Sequence, residues 1–481
     1  MTKLSGLGLL AIFVLACGGT DDDGAAGKGP PDAGGAPTWH QDVAPLVVGR
    51  CQGCHQDGGI APFSLGTYAE AKMWSSAFAS VLDSGTMPPF LATETADCKP
   101  RFGFKDDLRL SADERELVAR WVEAGAPEGD AKRAAPLPKP PQLALDDAEV
   151  SVKIPTPVTI EGPGDKFICF SLEPDLSPLA PSGAAAELLG EQVLIDAAQV
   201  SPGNAAIVHH VLVFTDPEGK SAELAGERGY YECFGGVQLE RPNLVMAWAP
   251  GATPITAPEG VAMILPSKGR LVMQVHYHPT GRAETDGDTA VQLRGYRAGI
   301  PDYIGQLALI GNASSQESDG MGLQPGMNDG AKAEFVIPAN ARAHIESMKF
   351  AIPEEEPDYR LWAVGTHMHY VGTDMRIGVT REAPGDEPAE ECLLATPRWD
   401  FNWQRAYLYD APIAEAPTVK PGDVLNLSCT YDNSMSNRFV AEALREQGLD
   451  APRDVVLGEE TLDEMCLGAF GIAQKVSDLI K

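Results

Sequence analysis

Short runs of alternating apolar and polar residues, separated by Pro- and Gly-containing turns, dominate the chain from about residue 145 onward. This period of two is typical of strands with one buried face, so we predict an all-β, antiparallel region of sandwich type. Its length of roughly 335 residues is enough for two jelly-roll-like sandwich domains, placed at 146–305 and 306–481. The clearest runs are DKFICFSLE, AAIVHHVLVF, GRLVMQVHYHP, YRLWAVGTHMHYVG, PRWDFNWQRAYLY and GDVLNLSCTY.

The earlier part of the chain has a helical pattern instead. Apolar residues recur with the helical period over 67–85 and over 111–127. The second segment opens on SADE, a capping box, and both segments are followed or closed by glycine. We therefore predict a small all-α domain at 38–130, joined to the β region by a Pro-rich linker at 131–145.

The N-terminus has the features of an export signal. One lysine precedes an apolar run from Leu7 to Leu15 that is too short to span a bilayer and ends in VLAC. This end resembles a bacterial lipobox, which implies a signal peptide at 1–16, a lipid on Cys17 and a disordered tether at 17–37. An ordinary cleaved signal with an incidental cysteine is the alternative. We expect an exported protein, in contact with a bacterial membrane only through its lipid anchor, in the periplasm or at the cell surface, where disulfides and covalent haem are possible.

Charge and length limit the classes of partner and fold. The 481 residues are too many for one core, so several domains are expected. The net charge of −31 comes from 37 basic and 68 acidic residues, and no basic block occurs. Nucleic acid is therefore not expected as a partner.

The sequence CQGCH at 51–55 is the C-x-x-C-H motif of covalent haem attachment. Its two thiols reach the two vinyl groups of one porphyrin, and the histidine then lies where it can ligate the iron. A zinc half-site is the alternative, but residues 56–130 contain no second ligand pair. Met87, in TMPPF, is typical of the sulfur axial ligand in small cytochromes c, whereas Met73 is expected in the core of its helix. A cytochrome c domain with one haem c would use Cys51 and Cys54 for the thioethers, and His55 and Met87 for the iron.

Histidines are concentrated in the β region. Of nine in the chain, seven lie beyond residue 145, and six of these form close pairs. Each neutral imidazole needs partners for both ring nitrogens, and a metal ion satisfies one while leaving the other N–H for a nearby acceptor. Paired histidines on strands therefore indicate metal binding. The pairs are His209 with His210, His276 with His278, and His367 with His369, and His344 stands alone.

Strand geometry constrains two of these pairs. In VGTHMHYVG, positions i and i+2 of a strand face the same side, so His367 and His369 are predicted side by side on one strand. His209 and His210 are adjacent and would point apart on a regular strand. Both can reach one metal only at a bulge or at a strand end.

A series of motifs over about 150–480 resembles the copper type II, ascorbate-dependent monooxygenases, the family of peptidylglycine α-hydroxylating and dopamine β-monooxygenases. The motifs are VHHVLVF, VMQVHY, THMH, CTYDNS and DEMC, in the family order. The resemblance implies two copper ions. It implies His209, His210 and His276 as ligands of an electron-storing copper, and His367, His369 and Met465 as ligands of an oxygen-binding copper.

The ligand types suit this chemistry. Imidazoles serve both Cu(I) and Cu(II), whereas a soft thioether favours Cu(I), the state that binds O₂. Met435 is a rival sulfur ligand, although Met465 matches the family's Glu-Met-Cys context. His278 is expected beside a metal ligand or facing substrate, and His344 is expected to be structural.

The implied function is hydroxylation of an unactivated C–H bond of a small-molecule or peptide-like substrate, with O₂ and two electrons. Ascorbate or an external redox protein would donate the electrons, and the haem would replace or relay that donor. The alternative is a non-catalytic copper and haem electron-transfer lipoprotein. A third hypothesis, a cytochrome fused to a structural β-sandwich adhesin, predicts no bound copper.

The cysteine count agrees with an exported protein. Nine cysteines, less Cys17 and the haem pair, leave six. Cys98 and Cys392 either bridge the helical domain to the second sandwich or stay free, and we expect the bridge. The resemblance implies the other two pairings, Cys169 with Cys233 and Cys429 with Cys466.

Departures from the family concern the substrate. Gly365 occupies the position at which the peptide hydroxylase has a carboxylate-binding arginine, and Leu467 and Ala469 replace polar anchors. A peptide ending in glycine is therefore a doubtful substrate. The aromatic residues of WDFNW at 399–403 have period two, which favours a core role over a substrate wall.

Overall fold

The computed structural model describes residues 35–479, apart from positions 58, 60, 142, 143, 163, 241, 331 and 461. The predicted signal peptide at 1–16, Cys17 and most of the tether at 17–37 lie outside the described residues. Within the described part, no helix is both long and apolar enough to cross a membrane.

A helical segment precedes the sheets. Its two longer helices, α2 and α3, start at reciprocal capping boxes, Thr67 with Glu70 and Ser111 with Glu114, which satisfy free N–H groups of the first turn. Both lie where the apolar period predicted them. The segment contains a π-helix Trp39–Val43, α1 Ala44–Arg50, α2 Tyr68–Asp83, α3 Ala112–Glu123 and the 3₁₀ turn Ala131–Arg133.

One expectation for this segment is wrong. Met73 is 74% exposed, so it is not a core residue of α2. The buried positions of that helix are Ala71 and Phe78, two turns apart on one face, and Met73 lies off that face.

The rest of the described chain is mostly strand. Short helices interrupt it: α4 Ala184–Leu189, α5 Lys220–Ala225, α6 Arg438–Glu446 and α7 Val476–Leu479, with 3₁₀ turns at Ser177–Leu179 and Gly226–Arg228. The first twelve strands are β1 Val150–Lys153, β2 Val158–Ile160, β3 Lys166–Leu172, β4 Gln192–Ser201, β5 Val208–Asp216, β6 Tyr230–Glu232, β7 Leu244–Trp248, β8 Ile255–Thr256, β9 Val261–Pro266, β10 Arg270–Tyr277, β11 Glu284–Asp286 and β12 Ala290–Gly295. The other twelve are β13 Tyr303–Gly311, β14 Gly322–Gln324, β15 Val336–Ile337, β16 His344–Ala351, β17 Tyr359–His367, β18 Gly372–Thr380, β19 Glu390–Thr396, β20 Ala406–Leu408, β21 Thr418–Val419, β22 Val424–Tyr431, β23 Val455–Val456 and β24 Leu467–Lys475.

Hydrogen bonds join most strands into one fifteen-stranded sheet, whose main path is β1-β12-β4-β9-β13-β7-β5-β10-β3-β6. Strands β17, β20, β21 and β24 extend it from β13, and β8 pairs with β4. A separate five-stranded sheet has the order β14-β16-β22-β18-β19. Strand pairing is antiparallel except between β9 and β13, so the predominantly antiparallel β architecture agrees with the sequence-based expectation.

Two β cores lie on either side of a shared seam. The first is formed mainly by residues of 150–293, and the second mainly by residues of 323–470. Strand β13 joins them because it pairs with β7 and β9 of the first set and with β24 of the second. The boundary proposed at residue 306 therefore falls inside this shared strand.

The helical segment packs against the second β core. Cys98 forms a disulfide with Cys392 of β19. Arg101 donates a hydrogen bond to Glu391, which lies 3.0 Å away, and Glu391 also accepts from the buried Arg381 at 2.7 Å. The other two bridges are Cys169–Cys233 and Cys429–Cys466. Three disulfides are consistent with an exported protein.

One predicted strand is mostly a loop. Of PRWDFNWQRAYLY, only Ala406–Leu408 pairs as a strand, β20. Residues 399–405 instead form a turn whose aromatic side chains fill the seam: Trp399 and Phe401 are 6% and 2% exposed. The period-two pattern at 399–403 therefore indicated buried side chains correctly, but these residues do not pair as a strand.

We predict that replacing both Cys98 and Cys392 by serine lowers the free energy of unfolding by about 2–4 kcal/mol, because the bridge constrains the unfolded chain. Denaturant unfolding measures the change. Peptide mapping of the unreduced wild-type protein is the control, and alkylation of either thiol there would contradict the bridge.

Candidate metal centre

Three imidazoles converge where two neighbouring strands meet. His209 and His210 start β5, and His276 lies near the end of β10. The register pairs His276 with His210 and then Tyr277 with Val208, so His209 is the extra residue of a bulge. The bulge turns both adjacent side chains to one side, as their spacing required. One nitrogen from each of the three rings lies within 4.8 Å of the others.

The electrostatics of this set favour metal binding. Burial, followed by the neighbouring imidazoles, lowers the pKa of His209 and His210 well below the usual histidine value. These rings are therefore neutral at pH 7 and keep a lone pair for a cation. Nδ1 of His209 faces Nδ1 of His276 at 3.4 Å, a pair of nitrogens that needs a proton or a metal ion between them.

The Asp165 carboxylate lies close to two histidines, His276 of this set and His278. Its carboxylate oxygens lie 3.1 Å from Nε2 of His276 and 2.8 Å from Nδ1 of His278. The His278 ring lies 5.9 Å from that of His209. His278 thus lies beside the three imidazoles, one of its two expected places. His344 lies elsewhere, on β16, and contacts the buried Glu346 at 2.8 Å.

The second pair, His367 and His369, straddles the end of a strand. His367 is the last residue of β17, and His369 lies in the turn before β18, so the expected arrangement on one strand face is wrong. The rings are nonetheless close, with centroids 5.3 Å apart and planes at 89°. Met368 between them is fully buried.

Hydrogen bonds fix which ring nitrogen each member of this pair presents. Nδ1 of His369 lies 3.1 Å from the carbonyl oxygen of Asp463, which can only accept, so Nδ1 carries the hydrogen. Nδ1 of His367 donates in the same way to Oε1 of Gln404 at 2.6 Å. Both Nε2 atoms keep their lone pairs for a metal. Burial, then His367, lowers the pKa of His369 to about 3, so that ring is neutral.

Met465 lines the same cavity as His367 and His369. The disulfide of Cys466 to Cys429 and a hydrogen bond from Tyr431 to the carbonyl oxygen of Met465, at 2.8 Å, hold its backbone. The rival sulfur, Met435, is 52% exposed. Of these two candidate sulfur ligands, Met465 is the one that lines the cavity.

Glu464 organises this half of the centre, and sequence reasoning missed it. The fully buried carboxylate accepts four backbone N–H groups, from His369, Val371 and Gly372 at 2.7–3.0 Å and from Met465 at 2.9 Å. These bonds end β17 and join the histidine turn to the methionine segment. Burial raises the pKa of Glu464 to about 7. Its position directly before Met465 is the only local signal of this role.

The two sets of candidate ligands are adjacent. The rings of His210 and His367 lie 5.5 Å apart, and Gln404 lies between them, with its amide nitrogen 3.1 Å from Nε2 of His210. The same nitrogen donates to the carbonyl oxygen of Phe401 at 2.9 Å, which fixes the orientation of the amide. The Phe401 ring packs against His209 at 4.6 Å. Sequence reasoning treated Phe401 as core and overlooked Gln404.

The haem motif lies in the helical segment with both thiols unpaired. Burial raises the pKa of Cys51 to about 12 and also raises the pKa of Cys54, as expected in apolar surroundings. His55 is 8% exposed, and its Nδ1 donates to the carbonyl oxygen of Phe63 at 3.1 Å. Its Nε2 therefore keeps a lone pair. Met87 lies half-buried in the turn after α2.

Residues 404 and 405 link the haem motif to the imidazoles. Gln404 contacts His210 and His367, whereas the guanidinium of the next residue, Arg405, lies over Phe90 at 5.2 Å from the ring centroid. Arg405 is also close enough to Cys54 to lower the pKa of its thiol, against the larger effect of burial.

Comparison with known proteins gives one informative match. The chain is 26% identical over 260 residues to dopamine beta-hydroxylase of Canis lupus familiaris. The match covers 52% of this chain and only 37% of that protein. This distant similarity supports a copper monooxygenase-like protein. No family model matches the chain.

Solved structures add no argument. The major capsid protein of STIV matches with a TM-score of 0.21 and 8% identity, over 69% of this chain and 96% of that one. The VP2 subviral particle of infectious bursal disease virus matches with a TM-score of 0.18 and 8% identity, over 68% and 71%. Scores this low establish no shared fold.

Glu464→Gln tests the buried carboxylate through the pH dependence of stability. A pKa raised from 4.5 to about 7 means that the folded state binds this proton more tightly than the unfolded state does. The stability contribution is present below the unfolded pKa and is lost as pH rises toward 7. We expect the stability of the wild type relative to the variant to fall by on the order of 3 kcal/mol over this range, measured by urea unfolding without metal. A difference independent of pH would contradict this role.

Gln404→Leu tests the link between the two sets. The change leaves Nδ1–H of His367 without its acceptor, so a copper ion held by His367 and His369 should bind about 10–100-fold more weakly. Competitive copper titration measures this. Gln324→Leu is the matched control, because Gln324 donates only to backbone carbonyls of its own turn. Equal affinities in wild type and Gln404→Leu would show that the amide does not hold the ligand.

Proposed function

We propose that this chain is a copper-dependent monooxygenase that hydroxylates an unactivated C–H bond: R–H + O₂ + 2e⁻ + 2H⁺ → R–OH + H₂O. The single observation that carries the proposal is the adjacency of two ligand sets on one cavity, one of three histidines and one of two histidines with a thioether. The distant similarity to dopamine beta-hydroxylase supports the same reaction class.

The residues present suit two copper ions. His209, His210 and His276 would hold the electron-storing ion, and His367 and His369 with Met465 would hold the oxygen-binding ion. When bound, the two ions would supply one-electron storage and O₂ activation. Copper binds imidazoles that are neutral and keep a lone pair on one ring nitrogen, and the lowered pKa of His210 and the fixed tautomers of His367 and His369 meet this requirement. The soft sulfur of Met465 suits Cu(I).

Other residues at this centre would bind no metal but hold the ligands in place. Asp463 and Gln404 hold the Nδ1 hydrogens of the histidine pair, so both rings keep one orientation. Glu464 fixes the turn that carries His369 and the backbone of Met465. The apolar cavity around them excludes water from the reacting C–H bond.

We further propose that the helical segment is a cytochrome c domain, with haem c on Cys51 and Cys54, and His55 and Met87 as axial ligands. The unpaired thiols and the free Nε2 of His55 support this assignment. The haem would pass electrons from ascorbate or an external redox protein to the copper sites, through the route marked by Arg405 and Gln404. A lipid on Cys17 would anchor the exported protein to a bacterial membrane.

Copper stoichiometry is the first test. We expect two type II copper signals per chain by metal analysis and electron paramagnetic resonance. Met465→Leu should weaken only one ion, by more than about 100-fold, because it removes a ligand and not merely a hydrogen-bond partner of one. His276→Ala should weaken only the other. Met435→Leu is the control, since that thioether is exposed.

Oxygen uptake then separates the enzyme from the non-catalytic alternative. Uptake with reductant that is matched by an equal amount of hydroxylated product supports the monooxygenase. Two bound coppers without product formation would leave an electron-transfer protein, and a chain that binds no copper would rule out both.

Haem relay is tested by Arg405→Met. Stopped-flow oxidation of the reduced haem by O₂ should depend on bound copper and should be slower in the variant, which loses the contact near Cys54. Arg398→Met is the control, because Arg398 donates to Ser84 across the same interface without contacting either site. Haem oxidation at the same rate with and without copper would refute the relay.

A further inference from the structure

The proposed copper sites open onto a cavity of about 390 Å³ at the seam between the two β cores. The residues that line it include His210, His276, His367 and His369 with Met465. Its walls come from strands of both cores, and their side chains are aliphatic or aromatic: Leu212, Leu244, Leu307, Leu408, Leu467 and Phe470. A molecule in this cavity lies directly against the ligand sets.

Small residues keep polar anchors out of the wall. A Cβ on Gly365 would lie 3.2 Å from the carbonyl oxygen of Arg405 and 3.5 Å from Cβ of Ala469, which leaves little room for a long side chain. Gly365 and Ala469 are register partners on β17 and β24. This part of the wall therefore presents backbone and methyl groups to the occupant.

Several polar side chains of the wall have partners within the protein, whereas Nε2 of His276 and Nε of Arg405 have no hydrogen-bond partner in the part of the chain that the structure describes. Gln274 donates to the carbonyl oxygen of Cys233 at 3.2 Å, and Oδ1 of Asn312 accepts from the N–H of Cys466 at 2.9 Å. Glu459 accepts from the N–H of Gly235 at 2.9 Å.

The wall carries one charge of each sign. Of the residues the structure describes, Arg405 is the one arginine or lysine on the wall, and its guanidinium lies over the rings of Phe90 and Tyr407. Glu459 is the one carboxylate among them, and it accepts from the N–H of Gly235. A carboxylate or an ammonium group in this cavity would lose its hydration and meet a single opposite charge, which repays the cost of desolvation only when the geometry is excellent.

We infer that the cavity binds a neutral, largely apolar organic molecule as the substrate of the proposed hydroxylation. The volume is more than twice that of an apolar cavity of about 150 Å³ that holds benzene, so a skeleton of about two rings fits. Calling this molecule the substrate rests on the proposed function, whereas the binding of an apolar molecule in the cavity does not. The cavity binds the molecule because the apolar surfaces of both leave water when they meet.

Three probes of one shape test the inference: 2-methylnaphthalene, 2-naphthoate and 2-(aminomethyl)naphthalene. They differ only in a methyl, a carboxylate and an ammonium group. Trp248 and Trp362 line the cavity, so tryptophan fluorescence of the full chain, with calorimetry beside it, reports binding. We expect the methyl compound to bind at least about 100-fold more tightly than either charged one, because desolvating a charge costs more than a single opposite charge on the wall, Arg405 or Glu459, returns.

Two variants locate the binding. Ala469→Leu fills the cavity and should abolish binding of 2-methylnaphthalene. Leu309→Arg places a guanidinium at a wall position that is 38% exposed and tolerates it, and should shift the preference toward 2-naphthoate. Ile345→Arg is the control, since Ile345 is 51% exposed on β16 and does not line the cavity.

The outcomes separate this inference from the proposed function. Tighter binding of the ammonium or carboxylate probe by the wild type, or equal binding by Ala469→Leu, overturns the apolar substrate class. Copper content is measured on the same samples, so two bound coppers with the wrong probe preference reject the substrate class alone. Absence of copper with tight binding of the methyl compound rejects the monooxygenase and keeps the apolar site.

Discussion

The centre depends on one buried carboxylate. Glu464 accepts N–H groups from the turn at 369–372 and from Met465, and so fastens together two segments that are about 95 residues apart in the chain. Four N–H hydrogen bonds offset part of the cost of burying this group, whose pKa is raised to about 7 by burial, and they leave the N–H groups of the turn and of Met465 satisfied. A strand that continued through His369 would lose all of them. The geometry of the histidine pair is therefore set by an acid that binds no metal.

A loop supplies the second constraint. Residues 399–405 cross the seam between the two cores, where Phe401 packs against His209 and Gln404 contacts His210 and His367. Because the Gln404 amide contacts both ligand sets, a displacement of one set moves the amide that the other set also contacts. Arg405 extends the same loop toward the haem motif. The loop thus contacts both sets of imidazoles and reaches the neighbourhood of Cys54.

The sequence predicted those strands, helices and turns that depend on local residue patterns. The period of two located β3, β5, β10, β17 and β22, the capping box located α3, and the adjacency of His209 and His210 required the bulge that the register has. Two of the errors share one cause. The end of β17 at His367 and the loop at 399–405 are decided by partners distant in sequence, whereas Met73 is exposed because it lies off the buried face of its own helix. Gln404 and Glu464 were missed because neither residue type is a ligand, and only the fold shows what they touch.

The attachment of the helical segment explains why the two parts keep a fixed orientation. Next to the Cys98–Cys392 bridge, Arg381 and Glu391 have side chains that are 1% and 3% exposed, and Arg101 completes the ion cluster. Charges buried this deeply add little net stability over apolar packing, since desolvation consumes most of the Coulomb energy. Arg381 and Glu391 both belong to the second β core, and Arg101, whose side chain is 30% exposed, is the member of the cluster that reaches them from the helical segment. The disulfide and the contacts of Arg101 therefore favour one docking geometry, the one that places Cys54 near Arg405. The structure thus holds the C-x-x-C-H motif and the two sets of imidazoles in one fixed arrangement.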